Sequence, residues 1–242
     1  MTEVVQLWVY LAASPLFGLT ATLVAYVAAH ALSQRLGGAP WANPVLGSVL
    51  LLGTVLWMTG TPYATYFAGA QFVHVLLGPA VVAMGWPLWQ RRQALRRRGV
   101  ALVLAALAGG TASAVSAVGL GALLGLDSEV LRSLAPKSVT APVAMGIAER
   151  LGGVPALAAA FVLITGVAGA LMGKSVLDAM GLRDWAVRGF ALGSAAHGIG
   201  AARAMQVHPE AGAYAGLALS LQALLSSVLM PLAVPWLLRW WG

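Results

Sequence analysis

"LAPKSVTAPVAMG", residues 134 to 146, sets Pro136 and Pro142 on either side of Lys137, Ser138, Val139 and Thr140, with long apolar runs before and after. Proline removes a backbone donor and clashes with the preceding turn, so a helix entering this stretch must stop or kink. A bare ammonium at membrane depth is costly unless it meets a partner, a cavity or an interface. Peptide groups freed by the break find no water in hydrocarbon, so such a segment persists only where protein covers it or where it lines a cavity. The stretch therefore reads as an interrupted helix inside a helical bundle.

The surrounding composition agrees. Of 242 residues, 60% are hydrophobic and 9% charged, with a mean hydropathy of +0.85, whereas soluble domains are about a quarter charged. The apolar runs are continuous and rich in Ala, Leu and Gly, unlike the short alternating segments of a β-barrel. The fold class is an all-α polytopic membrane protein of about eight segments, near 7–32, 43–58, 66–90, 100–125, 129–150, 154–178, 185–206 and 212–238. They form one membrane domain over 1–242, with 7–65 as scaffold or oligomerisation helices, 66–206 as the core and 212–238 as the last helix. The first run lacks a basic leader and is too long for a signal-peptide core, so it is expected to remain in the mature protein.

The net charge of +7 comes largely from Arg91, Arg92, Arg96, Arg97 and Arg98. Five arginines in one short loop between apolar segments fit the excess of basic residues in cytoplasmic loops, so a nucleic-acid partner is not expected. Eight crossings would then leave both termini outside, unless the broken segments turn back without crossing. With no cysteine in the chain, disulfides, iron–sulfur clusters and thiolate zinc sites are excluded. No nucleophile elbow, phosphate loop, dinucleotide fingerprint or zinc-protease motif occurs, so neither an enzyme nor a cofactor or metal site is expected.

Three segments carry breakers: "QFVHVLLGPAVVAMGWPLW" at Gly78-Pro79, residues 129–150 at Pro136 and Pro142, and "FALGSAAHGIGAARAM" around Gly193 to Gly200. "GLDSEVLRSLA" (125–135) aligns with "GLRDWAVRGFA" (181–191), and "GPAVVAMGWPL" (78–88) with "APVAMGIAERL" (141–151). Such internal similarity also arises by chance in Ala/Gly-rich sequence. Taken as a repeat, it predicts interrupted helices from two halves meeting near mid-membrane around a binding site.

The seven acids all fall at segment ends or in loops, so no buried carboxylate for a cation is evident. Lys137 instead sits in a break without an acid near it in sequence. Half-helices starting near Ala141 and Ile199 would aim unpaired N–H groups at the breaks, Ser138, Thr140 and Ser194 add hydroxyls, and Gly198 and Gly200 permit close backbone approach. Together these suit a small carboxylate. The plainer alternatives stay open: Lys137 reaching an interface, His197 as a packing histidine, Arg203 at the membrane surface, and His74 with Gln71 as helix packing. If His197 serves the site, it is the candidate for proton coupling. The substrate-binding set is Gln71, Gly78, Pro136, Lys137, Ser138, Thr140, Pro142, Ser194, His197, Gly198, Gly200 and Arg203.

"PKSVTAPVAM", "GGVPALAAAFVLITGVAGALMG", "RGFALGSAAHGIGAARAM" and "GAQFVHVLLGPAVVAM" resemble blocks of the LrgB/CidB family of antiholin-like bacterial membrane proteins, and are similar to the C-terminal half of the plant plastidal glycolate/glycerate translocator. The resemblance runs from about residue 10 to the C-terminus. It departs where the family carries an acid or polar residue after "PVAM" and this chain has Gly146 and Ile147. It implies transport or export of small monocarboxylates such as glycolate, glycerate, pyruvate or lactate, and an inverted-repeat architecture resembling the cation/proton antiporters and bile-acid symporters. It also implies the bacterial inner membrane and a smaller LrgA/CidA-type membrane partner, in a homodimer or hetero-oligomer. A holin- or antiholin-like role in controlling murein hydrolases and lysis is the alternative.

Overall fold

The computed structural model describes residues 15–76, 79, 82–83 and 85–241, and all of its regular elements there are helical. The chain divides into two compact units, residues 1–80 and 81–242.

In the first unit, α1 (Pro15–Arg35) packs against α2 (Pro44–Thr59) and α3 (Tyr63–Val75). Asn43 caps α2 by accepting from the amides of Val45 and Leu46, with Pro44 in the first turn, the arrangement this residue pair favours. Gly18 lets α1 approach the backbone of α3 so closely that a Cβ would strike Tyr66 and Ala70.

In the second unit a short α4 (Gly85–Gln90) precedes α5 (Arg92–Leu123), α6 (Ser128–Leu134), α7 (Ala141–Leu151), α8 (Pro155–Ala179), α9 (Trp185–Val207) and α10 (Pro209–Trp241). Three of these, α5, α8 and α10, are long and apolar enough to cross a membrane, as is α1 in the first unit.

α9 does not cross. A straight helix of 23 residues would be about 34 Å long, yet the rings of Trp185 and His208, at its two ends, stack 4.8 Å apart. The helix reverses at Ala196 and His197, where φ/ψ leave the helical region. A Cβ on Gly200 would meet the Leu192 carbonyl oxygen, so the arms run antiparallel. The rising arm runs parallel to α10, since Gly189 faces Ala211 and Gly193 faces Ala215. This is a re-entrant hairpin with its tip at His197.

Residues 128–153 form a second hairpin. α6 rises from Asp127, the chain turns through 135–140, and α7 returns so that Gly153 lies against Ser133. The fully buried Ser133 hydroxyl accepts from the Val154 amide at 2.8 Å and donates to the Glu129 carbonyl at 2.8 Å, fastening the two ends of this hairpin together. Of the two outcomes that the sequence left open for 129–150 and 185–206, crossing or turning back, the structure takes the second. Each enters and leaves on one side, because the backbone at each break reverses direction instead of merely kinking.

The repeat is inverted. α5 and the hairpin of α6 and α7 form one half, α8 and the α9 hairpin the other, and α8 runs opposite to α5. Both spanning helices end in the same cap: Gly125 (φ +74) and Gly181 (φ +70) adopt the left-handed conformation, and the next amide, Leu126 or Leu182, bonds back to the carbonyl of Gly121 or Leu177 at 3.0 Å. This matches the alignment of 125–135 with 181–191. The pairing of 78–88 with 141–151 is not the structural equivalence, since 141–151 is a returning arm whose counterpart is 198–207; part of 78–88 also lies outside the described residues.

Arg91 stands 5.9 Å over the Tyr214 ring near the start of α10, so the arginine cluster and both ends of the α9 hairpin share one side. Cysteines introduced into this cysteine-free chain at Leu182 and at Glu210 are expected to react with a membrane-impermeant maleimide from the same side as one at Gln93. Labelling of the first two from opposite sides would mean that α9 spans.

Candidate functional site

The two hairpin tips meet between the spanning helices. Lys137, half-buried at the first tip, donates to Ser113 Oγ of α5 at 2.9 Å and to Ser138 Oγ at 3.4 Å, and the two hydroxyls lie 2.6 Å apart. Among the described residues the ion pairs are Lys174 and Arg188 with Asp178, so Lys137 has hydroxyl partners and no carboxylate. Above it α7 begins at Ala141 with Thr140 at the N-cap position, buried, and the Thr140 side chain does not cap the helix. Pro142 occupies the first turn and lacks an N–H, which leaves the amides of Ala141 and Val143 as the outermost donors. Pro136 and Ser138 are enclosed beside the lysine.

At the second tip His197 is 3% exposed, and its Nε2 lies 2.8 Å from the Val162 carbonyl of α8. A carbonyl only accepts, so Nε2 carries the proton and Nδ1 is left to gain or lose one. The backbone of His197 sits at φ +40, ψ −134, a region that costs a residue with a Cβ about 1–3 kcal/mol. The carbonyl bond and close packing hold it there. Gly166, one turn after Val162, admits the ring, because a Cβ there would lie 2.5 Å from His197 Cε1. Gly169 and Gly173 extend this small-residue face for Ala196 and Leu192.

Val162 joins the tips. Its carbonyl holds His197, while its side chain shares one buried cluster with Val139 and Val143 of the first hairpin. Ser113 is ten residues from the end of α5 and Gly166 eleven from the start of α8, so both tips lie about 15 Å along a spanning helix from the far side.

The remaining sequence-derived residues are distributed differently. The Ser194 hydroxyl is enclosed and has no hydrogen-bond partner among the described residues; Gly198 is open, with nothing within 4 Å of an added Cβ, and Gly200 serves the packing of the two arms. Arg203 lies lower on the returning arm, lining a cavity on the arginine side. Gln71 belongs to the first unit, where its amide donates to the Ala68 carbonyl at 2.8 Å. Gly78 is outside the described residues. Ser113, Val162 and Gly166 were missed; the hydroxyl-bearing run "TASAVS" and the glycine spacing of "GVAGALMG" were the available signals.

The family model described as the LrgB-like family matches residues 22–236. A Bacillus subtilis (strain 168) protein named YxaC is 35% identical over 216 residues, covering 89% of this chain and 93% of its own length. A Haemophilus influenzae protein is 33% identical over 78% of this chain and 82% of its own length. The holin-like protein CidB of Staphylococcus aureus (strain Mu50) is 29% identical over 88% of this chain and 93% of its own length. No solved structure matches.

Gly166→Ala is expected to displace the His197 ring and destabilise the protein by about 1–3 kcal/mol, the usual cost of overpacking. Gly198→Ala, with open space around it, is the control. Thermal unfolding midpoints in detergent compare the two, and equal midpoints would remove the imidazole from contact with α8.

Proposed function

The chain belongs to the LrgB-like family, and on that footing we propose that it is a secondary carrier of small monocarboxylates, of the glycolate, glycerate, pyruvate or lactate type, in the bacterial inner membrane. The observation that carries this reading is the Lys137 ammonium, held by the hydroxyls of Ser113 and Ser138 with no carboxylate partner among the described residues, near the N-terminus of α7 at the meeting point of two opposed hairpins. A buried cation without a carboxylate is costly, and a carboxylate ligand offsets that cost. Ammonium, Ser138 hydroxyl and half-helix amides are donors that such a ligand accepts from.

Alternating access follows from the same arrangement. Hairpins entering from opposite sides and meeting at one depth provide a gate on each face, and rocking one half against the other exposes the tips to one side at a time. His197, through Nδ1, is the proposed proton-coupling group. A smaller LrgA/CidA-type partner, or a second copy of the chain, is the proposed assembly.

A second reading is favoured by the names of relatives such as the staphylococcal holin-like protein CidB: a holin-like protein that permeabilises the membrane or modulates murein hydrolases. Flux into proteoliposomes separates the two. The carrier is expected to give saturable uptake restricted to small monocarboxylates, and a holin-like pore to release unrelated ions and solutes together.

For the carrier, Lys137→Ala is expected to weaken apparent affinity about tenfold to a hundredfold, the equivalent of a charge-assisted contact of about 1.5–3 kcal/mol. Lys137→Arg is expected to impair as well, because a planar guanidinium does not reproduce a compact ammonium. Unchanged concentration dependence in Lys137→Ala would withdraw the lysine from substrate binding.

A further inference from the structure

Away from the tips, on the arginine side, a cavity of about 280 Å³ lies between the arms of the α9 hairpin, the end of α8 and the start of α10. Its polar lining is Lys174, Arg183, Arg188 and Arg203 against one carboxylate, Asp178, and its remaining wall is apolar with Trp185 at the edge. Asp178 is fully engaged: one oxygen accepts from Lys174 at 3.0 Å, the other from Arg188 at 2.7 Å. Arg188, 8% exposed, also donates to the Leu182 carbonyl at 2.7 Å and lies over the Trp185 ring, so it cannot swing away. Arg203 has a neutral partner, the Gln206 side chain at 3.3 Å, and the exposed Arg183 has no carboxylate partner among the described ion pairs.

The repeat makes the charge meaningful. Arg132 on α6 corresponds to Arg188 in the alignment of the two halves, but around it the first hairpin carries Asp127, Glu129, Glu149 and Arg150. The cavity lining itself holds four cations against one acid; counted over the whole mouth, with Asp184 and Glu210 included, the arginine side carries four cations against three acids and the other side two against three. Low-dielectric walls lined by a single sign of charge concentrate counter-ions and speed their arrival.

We propose that the arginine-side cavity is a capture site for small carboxylates from the water on that side, separate from the Lys137 tip site, and that it makes the carrier load preferentially from there. The inference rests on the carboxylate reading of the preceding section for the identity of the ligand. The chemistry it needs, an oxyanion among guanidinium groups, is shared by a phospholipid headgroup, so the test distinguishes them.

Arg183 is exposed on the rim and takes no part in the tip site, so its replacement leaves the packing in place. In proteoliposomes of phosphatidylcholine, initial rates of radiolabelled glycolate transport are measured from each side for wild type, Arg183→Glu and Arg183→Lys. Arg183→Glu is expected to raise KM from the arginine side about three- to tenfold with kcat unchanged, to leave KM from the other side alone, and to lose its effect at high salt; Arg183→Lys is expected to retain wild-type values. No change in KM, or an equal change from both sides, overturns the proposal. An effect that appears only when phosphatidylglycerol is added assigns the cavity to a lipid headgroup and also overturns it. If wild-type protein carries no monocarboxylate, the carrier reading falls by itself, and equilibrium binding of glycolate to purified Lys137→Ala protein decides the capture site. Salt-sensitive binding lost in the added Arg183→Glu variant upholds it, and binding that is absent or indifferent to Arg183 overturns it.

Discussion

A chain that turns back half-way through a membrane must hide the backbone of its turn, because hydrocarbon offers no partner to a freed N–H or carbonyl. The unit over residues 81–242 answers this demand twice. The turn at His197 is covered by α8, whose glycines let the hairpin settle against its backbone and whose Val162 carbonyl receives the imidazole. The turn at 135–140 is covered by α5, where Ser113 meets Lys137 and Ser138. Each hairpin tip packs against the spanning helix that immediately precedes it in the chain. The inverted repeat is thus also the unit in which the backbone is satisfied.

The same geometry creates the chemistry. Covering a turn with small residues and hydroxyls, rather than with bulky side chains, leaves donors of the first tip directed at a shared point. Strain at His197 and the unneutralised ammonium at Lys137 are both costs to the fold. Their concentration at the meeting of two hairpins is the reason to place function there. The two mouths are not equivalent in charge, since the cavity between the arms of the α9 hairpin is lined by Lys174, Arg183, Arg188 and Arg203 against Asp178, whereas the first hairpin carries Asp127, Glu129 and Glu149 against Arg132 and Arg150.

The legible parts were those written in local sequence. Membrane class, the break at Pro136 to Pro142, the break near Gly198 and the alignment of 125–135 with 181–191 all follow from residues within a few positions of one another. The family follows from blocks of similar length. The reversal at His197 was not legible, because Ala196 and His197 have ordinary side chains for a helix and nothing local demands φ +40. Ser113 was equally hidden, one hydroxyl among Thr111, Ser113 and Ser116 on an apolar helix, and what singles it out is a lysine 24 positions later. Arg203 was grouped with His197 by proximity in sequence, yet the returning arm carries it towards the arginine-side cavity.

By itself the sequence determined that the chain lies in a membrane as helices, where those helices are interrupted, and which breaks carry charge, because hydropathy, proline geometry and the cost of a buried ammonium act residue by residue. Whether an interrupted helix continues across or turns back was decided only by tertiary structure. A freed peptide group can be satisfied in either arrangement, and the choice depends on which neighbouring surface is smooth enough to receive it. Here the glycines of α8 and the hydroxyl of Ser113 on α5 supply that surface, and they lie in other helices.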